Sequence, residues 1–94
     1  MHAVIRKYTN PSDVQTEARP KLQQLEQTMR QTPGFVAYYF LETENGITTI
    51  TITEDEAGTQ ESMGRAANWV RENLTSDLGA PEVIRGETLI NATR

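Results

Sequence analysis

Hydrophobic and β-branched positions are densest between Phe35 and Thr53. There Phe-Val-Ala-Tyr-Tyr-Phe-Leu-Glu-Thr and Ile-Thr-Thr-Ile-Thr-Ile-Thr flank Glu-Asn-Gly. Two such runs around an Asn-Gly pair predict a β-hairpin with a two-residue type I′ turn at Asn45-Gly46, because both residues accept positive φ. This register sets Glu44 opposite Ile47, Leu41 opposite Ile50, Phe40 opposite Thr51 and Tyr39 opposite Ile52. Neighbours on a strand point to opposite faces. One face then carries Phe35, Ala37, Tyr39, Leu41, Ile50 and Ile52. The other carries Val36, Tyr38, Phe40, Ile47, Thr49, Thr51 and Thr53. A sheet with one wet face alternates apolar and polar residues, and Phe35 to Leu41 does not. Both faces are therefore expected to be covered, one by helices of the same chain and one by something else.

His2 to Tyr8 reads as a first strand that stops before Thr9-Asn10-Pro11. Ser12 and Asp13 offer acceptors for a helix N-terminus. Val14, Ala18, Leu22, Leu25 and Met29 then recur at helical spacing. Pro20 interrupts the stripe at a cost of about 3 kcal/mol in a continuous helix. The stripe keeps its phase across Pro20, which predicts a kinked helix or two abutting ones, ended by Thr32-Pro33-Gly34. After the hairpin, Thr53-Glu54-Asp55-Glu56 fits a capping box, and its acids suit a helix N-terminus. The second helix runs to about Leu74, with the stripe Met63, Ala66, Val70 and Leu74 and with Trp69 beside it. Its glycines, Gly58 and Gly64, each cost about 1 kcal/mol relative to alanine. Close packing or a cavity beneath the helix would offset that cost. A loop through Leu78-Gly79-Ala80-Pro81 leads to a last strand, Glu82 to Asn91, in which Gly86 marks a bulge or a change of pairing partner.

The order strand, helix, strand, strand, helix, strand is that of the ferredoxin-like βαββαβ fold. It is an α+β class with a four-stranded antiparallel sheet and two helices on one face. Ninety-four residues make a single domain spanning 1–94. A chain of this mass buries roughly 64% of its unfolded surface, a thin margin that favours an oligomer. A second copy is expected on the face holding Val36, Tyr38, Phe40, Ile47, Thr49 and Thr51. The net charge of −4 argues against nucleic acid as a partner. Cysteine is absent, which removes disulfides and thiolate chemistry and suits a cytoplasmic setting. No run has the length of a signal peptide or a membrane span.

The opening His-Ala-Val-Ile-Arg-Lys-Tyr, the Thr-Pro-Gly-Phe-Val-Ala-Tyr-Tyr run and the acidic entry to the second helix resemble the dimeric α/β-barrel superfamily, in its antibiotic biosynthesis monooxygenase-like branch. The resemblance covers the whole chain in element order. It implies a homodimer joined through the sheets and a ligand pocket between sheet and helices. It also implies chemistry that ranges from cofactor-free oxidation of polyketide-type aromatics to haem degradation, with many small members unassigned. The haem-degrading branch uses an Asn in the first strand, a Trp in the second helix and a His further along it. This chain has Trp69 but no matching Asn, and no His after position 2, which argues against haem.

The resemblance implies a pocket lined here by Tyr39, Ile50, Ile52, Met63 and Trp69, with Arg6 or Arg65 to hold an anion. The same residues are equally what a packed core requires. His2 is the sole histidine and makes no metal site alone. Glu54, Asp55 and Glu56 read as capping rather than as a metal or acid–base cluster. No nucleophile–base set or phosphate loop is present, so no residue is assigned as catalytic and no cofactor or metal is called. Two functions stay open. One is a small-ligand-binding or non-catalytic dimeric module. The other is a cofactor-independent monooxygenase acting on a small aromatic or polyketide-type substrate.

Overall fold

The computed structural model describes residues 1–9, 13–44, 46–75 and 79–94. Asn10, Pro11, Ser12, Asn45, Leu78 and the side chains of Asp13 and Val14, all invoked above, lie outside the described residues. Eight residues form strand β1, His2–Thr9. Helix α1, Asp13–Ala18, meets a 3-10 turn, Arg19–Lys21, which runs into α2, Leu22–Arg30. Pro20 sits in that 3-10 turn, near its start, where its missing N–H costs little. The interrupted stripe thus resolves as two abutting helices, and Ala18, Leu25 and Met29 are buried. Strands β2, Phe35–Thr43, and β3, Gly46–Thr53, follow; then helix α3, Glu56–Asn73, and strand β4, Glu82–Glu87. The sheet order is β2-β3-β1-β4, antiparallel throughout. This is the ferredoxin-like arrangement expected. Among the described residues no helix is long and apolar enough to cross a membrane.

The hairpin register differs from the expected one by two residues. Tyr39 pairs with Ile50, Phe40 with Thr49, Leu41 with Thr48 and Glu42 with Ile47, and Thr43–Gly46 is the last pair. Gly46 therefore belongs to β3 and not to the turn. Gln15 of α1 holds this end by donating from Nε2 to the carbonyls of Thr43 and Gly46, at 3.3 and 2.7 Å. A slip of two residues leaves the composition of each face unchanged, whereas a slip of one would exchange them. Phe35 alone changes sides, because the ladder shifts register between Phe35 and Ala37. The bulge at Val36 turns Phe35 toward the helices, where it packs against the core.

The helices cover the threonine-bearing face, not the isoleucine-bearing one, and this reverses the expected assignment. Ile47, Thr49, Thr51 and Thr53 are buried together with Val4 and Arg6 of β1. Tyr38 and Phe40 pack on the cluster of Leu25, Met29, Ala66 and Trp69. The physical reason lies at the start of α3. Gly58, Thr59 and Ser62 are buried there, and small side chains let the helix come down onto the threonines. A Cβ on Gly58 would stand 2.8 Å from Thr53 Cβ and Oγ1 and from the Pro33 carbonyl oxygen. Isoleucines at the threonine positions would hold the helix off. Asp55, not Thr53, is the N-cap and accepts from the Gly58 N–H at 2.9 Å. Thr53 Oγ1 instead donates to the Asp55 carbonyl at 2.5 Å.

Strand β4 is shorter than expected. Its last pair is Glu87 with His2, and the Thr88 N–H then bonds to the Met1 carbonyl at 2.8 Å. Gly86 pairs in register with Ala3. Leu89 and Ile90 lie past the strand and are 90% and 85% exposed.

Candidate functional site

A cavity of ≈ 20 Å³ lies between the sheet and α3. The strands contribute Arg6 and Tyr8 from β1, Tyr38 and Phe40 from β2, and Ile47 and Thr49 from β3. Leu25 of α2 and Ala66, Trp69 and Val70 of α3 complete it, with Leu74 just beyond that helix. The strand residues come from one sheet face at alternating positions. The helical ones recur at three and four residues along α3. Lys21 Nζ donates to the Asn73 carbonyl, and Glu17 accepts from the Thr75 N–H and hydroxyl at 2.9 and 2.7 Å. These contacts tie the first helical segment to the end of α3 beside the cavity.

Arg6 is 3% exposed, and its Nε and Nη2 have no hydrogen-bond partner among the described residues. Trp69 is 4% exposed, and its Nε1 has none either. Thr49 Oγ1 is likewise buried and unpartnered. Buried polar groups are normally satisfied, so several unmet ones around one cavity are a departure that asks for a cause. Burial pushes the Tyr38 phenol up to about 12, against a lowering effect of the nearby Arg6 charge and with a smaller upward push from Tyr8. Tyr38 is therefore neutral at ordinary pH and does not balance Arg6. The lining contains no acid.

Of the residues expected to line a pocket, Arg6 and Trp69 do so. Tyr39, Ile50 and Ile52 are not in this lining, since their alternate positions place them on the other sheet face, and Tyr39 borders a separate groove along β2. Met63 is only half-buried and sits one position off the buried line Thr59, Ser62, Ala66 and Trp69. Arg65 lies along α3 and pairs with Glu61 at 3.1 Å, away from the cavity. Tyr38, Phe40, Ile47, Thr49 and Thr51, expected at an interface with a second copy, are instead under the helices. Val36 is the bulged residue on edge strand β2 and is exposed. Tyr8, Tyr38, Phe40 and Thr49 were missed as lining. The signal that would have found them is the run of small residues at the start of α3, which matches a threonine surface better than an isoleucine one.

His2 Nδ1 lies 2.9 Å from Thr59 Oγ1, so the sole histidine is tied to the start of α3 rather than to the cavity. Among the described residues no group of three or more His, Cys, Asp or Glu side chains is placed to hold a metal. A haem does not fit the residues present. The cavity accommodates only one or two water-sized groups, and no histidine faces it.

No family model matches the chain, and neither does any curated protein. Solved structures do match. A monooxygenase of Streptomyces coelicolor, solved with nanaomycin D, superposes with a TM-score of 0.67 at 16% identity, over 99% of this chain and 90% of that one. A heme-degrading protein of Mycobacterium tuberculosis gives 0.66 at 14% identity, over 99% and 100%. A protein of unknown function from Nitrosomonas europaea gives 0.73 at 19% identity, over 99% and 92%. The chain shares with them the ferredoxin-like fold.

Proposed function

We propose that this chain is a single-domain module that binds a small ligand in the cavity beneath α3 and works as a homodimer through its open sheet face. The observation that carries the ligand reading is the set of unmet donors on Arg6, Trp69 and Thr49 around one space. Binding is favoured over catalysis because the lining offers donors but no base: Arg6 is a permanent cation, and Tyr38 holds its proton to about pH 12. An oxygenase acting on a substrate that supplies its own deprotonated ring is the alternative, and the Streptomyces coelicolor neighbour is a monooxygenase. A cytoplasmic setting goes with this reading, since the sequence has no cysteine to oxidise.

The dimer rests on the face left uncovered. Ile5, Ala37, Tyr39, Leu41, Ile50, Ile52 and Ile84 form it, and Tyr39 is 51% exposed. Monomers rarely leave such a patch in water. The tail with Leu89 and Ile90 is suited to reach a second copy. Its natural seat is the groove of ≈ 490 Å³ along β2, lined by Leu22, Glu26, Arg30 and Phe35 to Phe40. β2 is an edge strand, and a tail laid there would protect the edge.

Trp69 is the only tryptophan, so its indole N–H gives one resonance. A panel of acids, amides and alcohols of about three heavy atoms or fewer, the size such a space admits, is expected to contain members that move that resonance saturably; a panel that leaves it in place defeats the ligand reading. Sedimentation at micromolar concentration is expected to show twice the chain mass, and a folded monomer defeats the dimer.

A further inference from the structure

Taking the ligand-pocket reading as its basis, we infer that the space beneath α3 is a site for one chloride-sized monovalent anion, held by Arg6 with Trp69 and Thr49. The Arg6 side chain is buried, and the lining around it contains no acid. The guanidinium is thus a buried charge without a counter-charge in that lining, a costly arrangement until an anion joins it. Its Nε and Nη2, which have no partner among the described residues, are neighbours on one edge of the group. Their N–H bonds run nearly parallel, so a single spherical anion can accept from both.

The other unmet groups point the same way. Trp69 Nε1 is a donor only, and Thr49 Oγ1 is free to donate. Both side chains are buried, and they border the same space from α3 and from β3. What satisfies all of these atoms must accept hydrogen bonds. Size then limits the choice. The space of ≈ 20 Å³ admits one or two water-sized groups. A halide has that size, whereas sulfate, phosphate and any acid with a hydrocarbon body are too large. Charge removes the remaining candidates. A water or a short alcohol leaves the guanidinium uncompensated and brings a donor of its own, and a cation adds to the positive charge. One arginine balances one negative charge, and Tyr38 beside it keeps its proton and supplies none. Leu25, Phe40 and Val70 make part of the wall apolar, which strengthens the attraction relative to a surface site.

Sodium chloride exchanged for sodium methanesulfonate at constant ionic strength tests this on the whole protein, because methanesulfonate has the same charge and is too large for the space. The Trp69 indole resonance is expected to move saturably as chloride replaces methanesulfonate, and the urea midpoint of unfolding is expected to rise with it. Formamide, a neutral molecule at the upper limit of size, is expected to bind at least about tenfold more weakly. Arg6→Met is expected to weaken chloride binding by about tenfold or more. Formamide moving the resonance while chloride leaves it in place overturns the anion inference and leaves the pocket standing. Movement by neither overturns both. Chloride affinity unchanged in Arg6→Met also overturns the inference. If Arg6→Met does not fold, crystals of the unaltered protein grown in sodium bromide decide it. An anomalous peak in contact with Arg6 Nε and Nη2 is expected, and no peak at that edge overturns the inference.

Discussion

Tyr39 of β2 stands directly opposite Ile50 of β3, and both lie on the sheet face turned away from the helices. Phe40, one residue on, packs against the core under those helices. Adjacent positions on one strand therefore report on different things. Tyr39→Glu is expected to split the proposed homodimer into folded monomers, because it would place an unpaired charge in the proposed sheet–sheet interface. Phe40→Glu is expected to unfold the chain instead. Sedimentation and circular dichroism on both variants check this pair. A Tyr39→Glu protein that stays dimeric shows that the open face is not the interface.

The glycines of α3 are predicted to behave oppositely. A Cβ at Gly58 meets the Pro33 carbonyl oxygen and Thr53 at 2.8 Å, whereas one at Gly64 meets nothing within 4 Å. Gly58→Ala is expected to cost about 1–3 kcal/mol through overpacking. Gly64→Ala is expected to stabilise by up to about 1 kcal/mol through helix propensity. Urea titration of the two variants reads both signs, and the same sign for both contradicts the described approach of α3 to β3.

Trp69 belongs to the buried cluster with Leu25, Met29 and Ala66. Trp69→Ala is expected to lose about 3–5 kcal/mol. Trp69→Phe keeps most of the packing and removes a buried donor that has no partner, so its loss is expected to stay below about 1.5 kcal/mol. Thermal unfolding without added ligand distinguishes the two. A large loss in Trp69→Phe would mean that the indole N–H already has a partner.

Tyr38 sets a limit in alkali. Its phenol ionises near 10 in the unfolded chain and at about 12 in the folded one. Between those values the native state holds a proton that the unfolded state has released. Stability is therefore whole below pH 10 and declines as pH rises toward 12, by up to about 3 kcal/mol. Ultraviolet titration of the three tyrosines is expected to show one ionising last, and Tyr38→Phe is expected to flatten the alkaline loss. A loss that persists in Tyr38→Phe assigns it elsewhere.

The order of elements was legible in the residues themselves. Spacing of apolar positions marked the helices, Pro20 marked the break between α1 and α2, and β-branched runs marked the hairpin. Local chemistry determines such features, and the acidic entry to α3, where Asp55 is the cap, is of the same kind. Trp69 and Arg6, named from the sequence as pocket candidates, both lie in the lining of the cavity beneath α3. The side of the sheet taken by the helices was not legible. A threonine offers both a methyl and a hydroxyl, so a Thr49, Thr51, Thr53 row suits a helix as well as a second sheet. The choice fell to how closely Gly58, Thr59 and Ser62 could approach that row, which is a property of two elements together. The hairpin register also meets a tertiary contact, with Gln15 of α1 bonded to the carbonyls of Thr43 and Gly46 at the end of the ladder. Likewise, only the tertiary structure set Arg6 and Trp69 around one space without partners, because burial and unmet donors exist only once β1 and α3 are packed face to face.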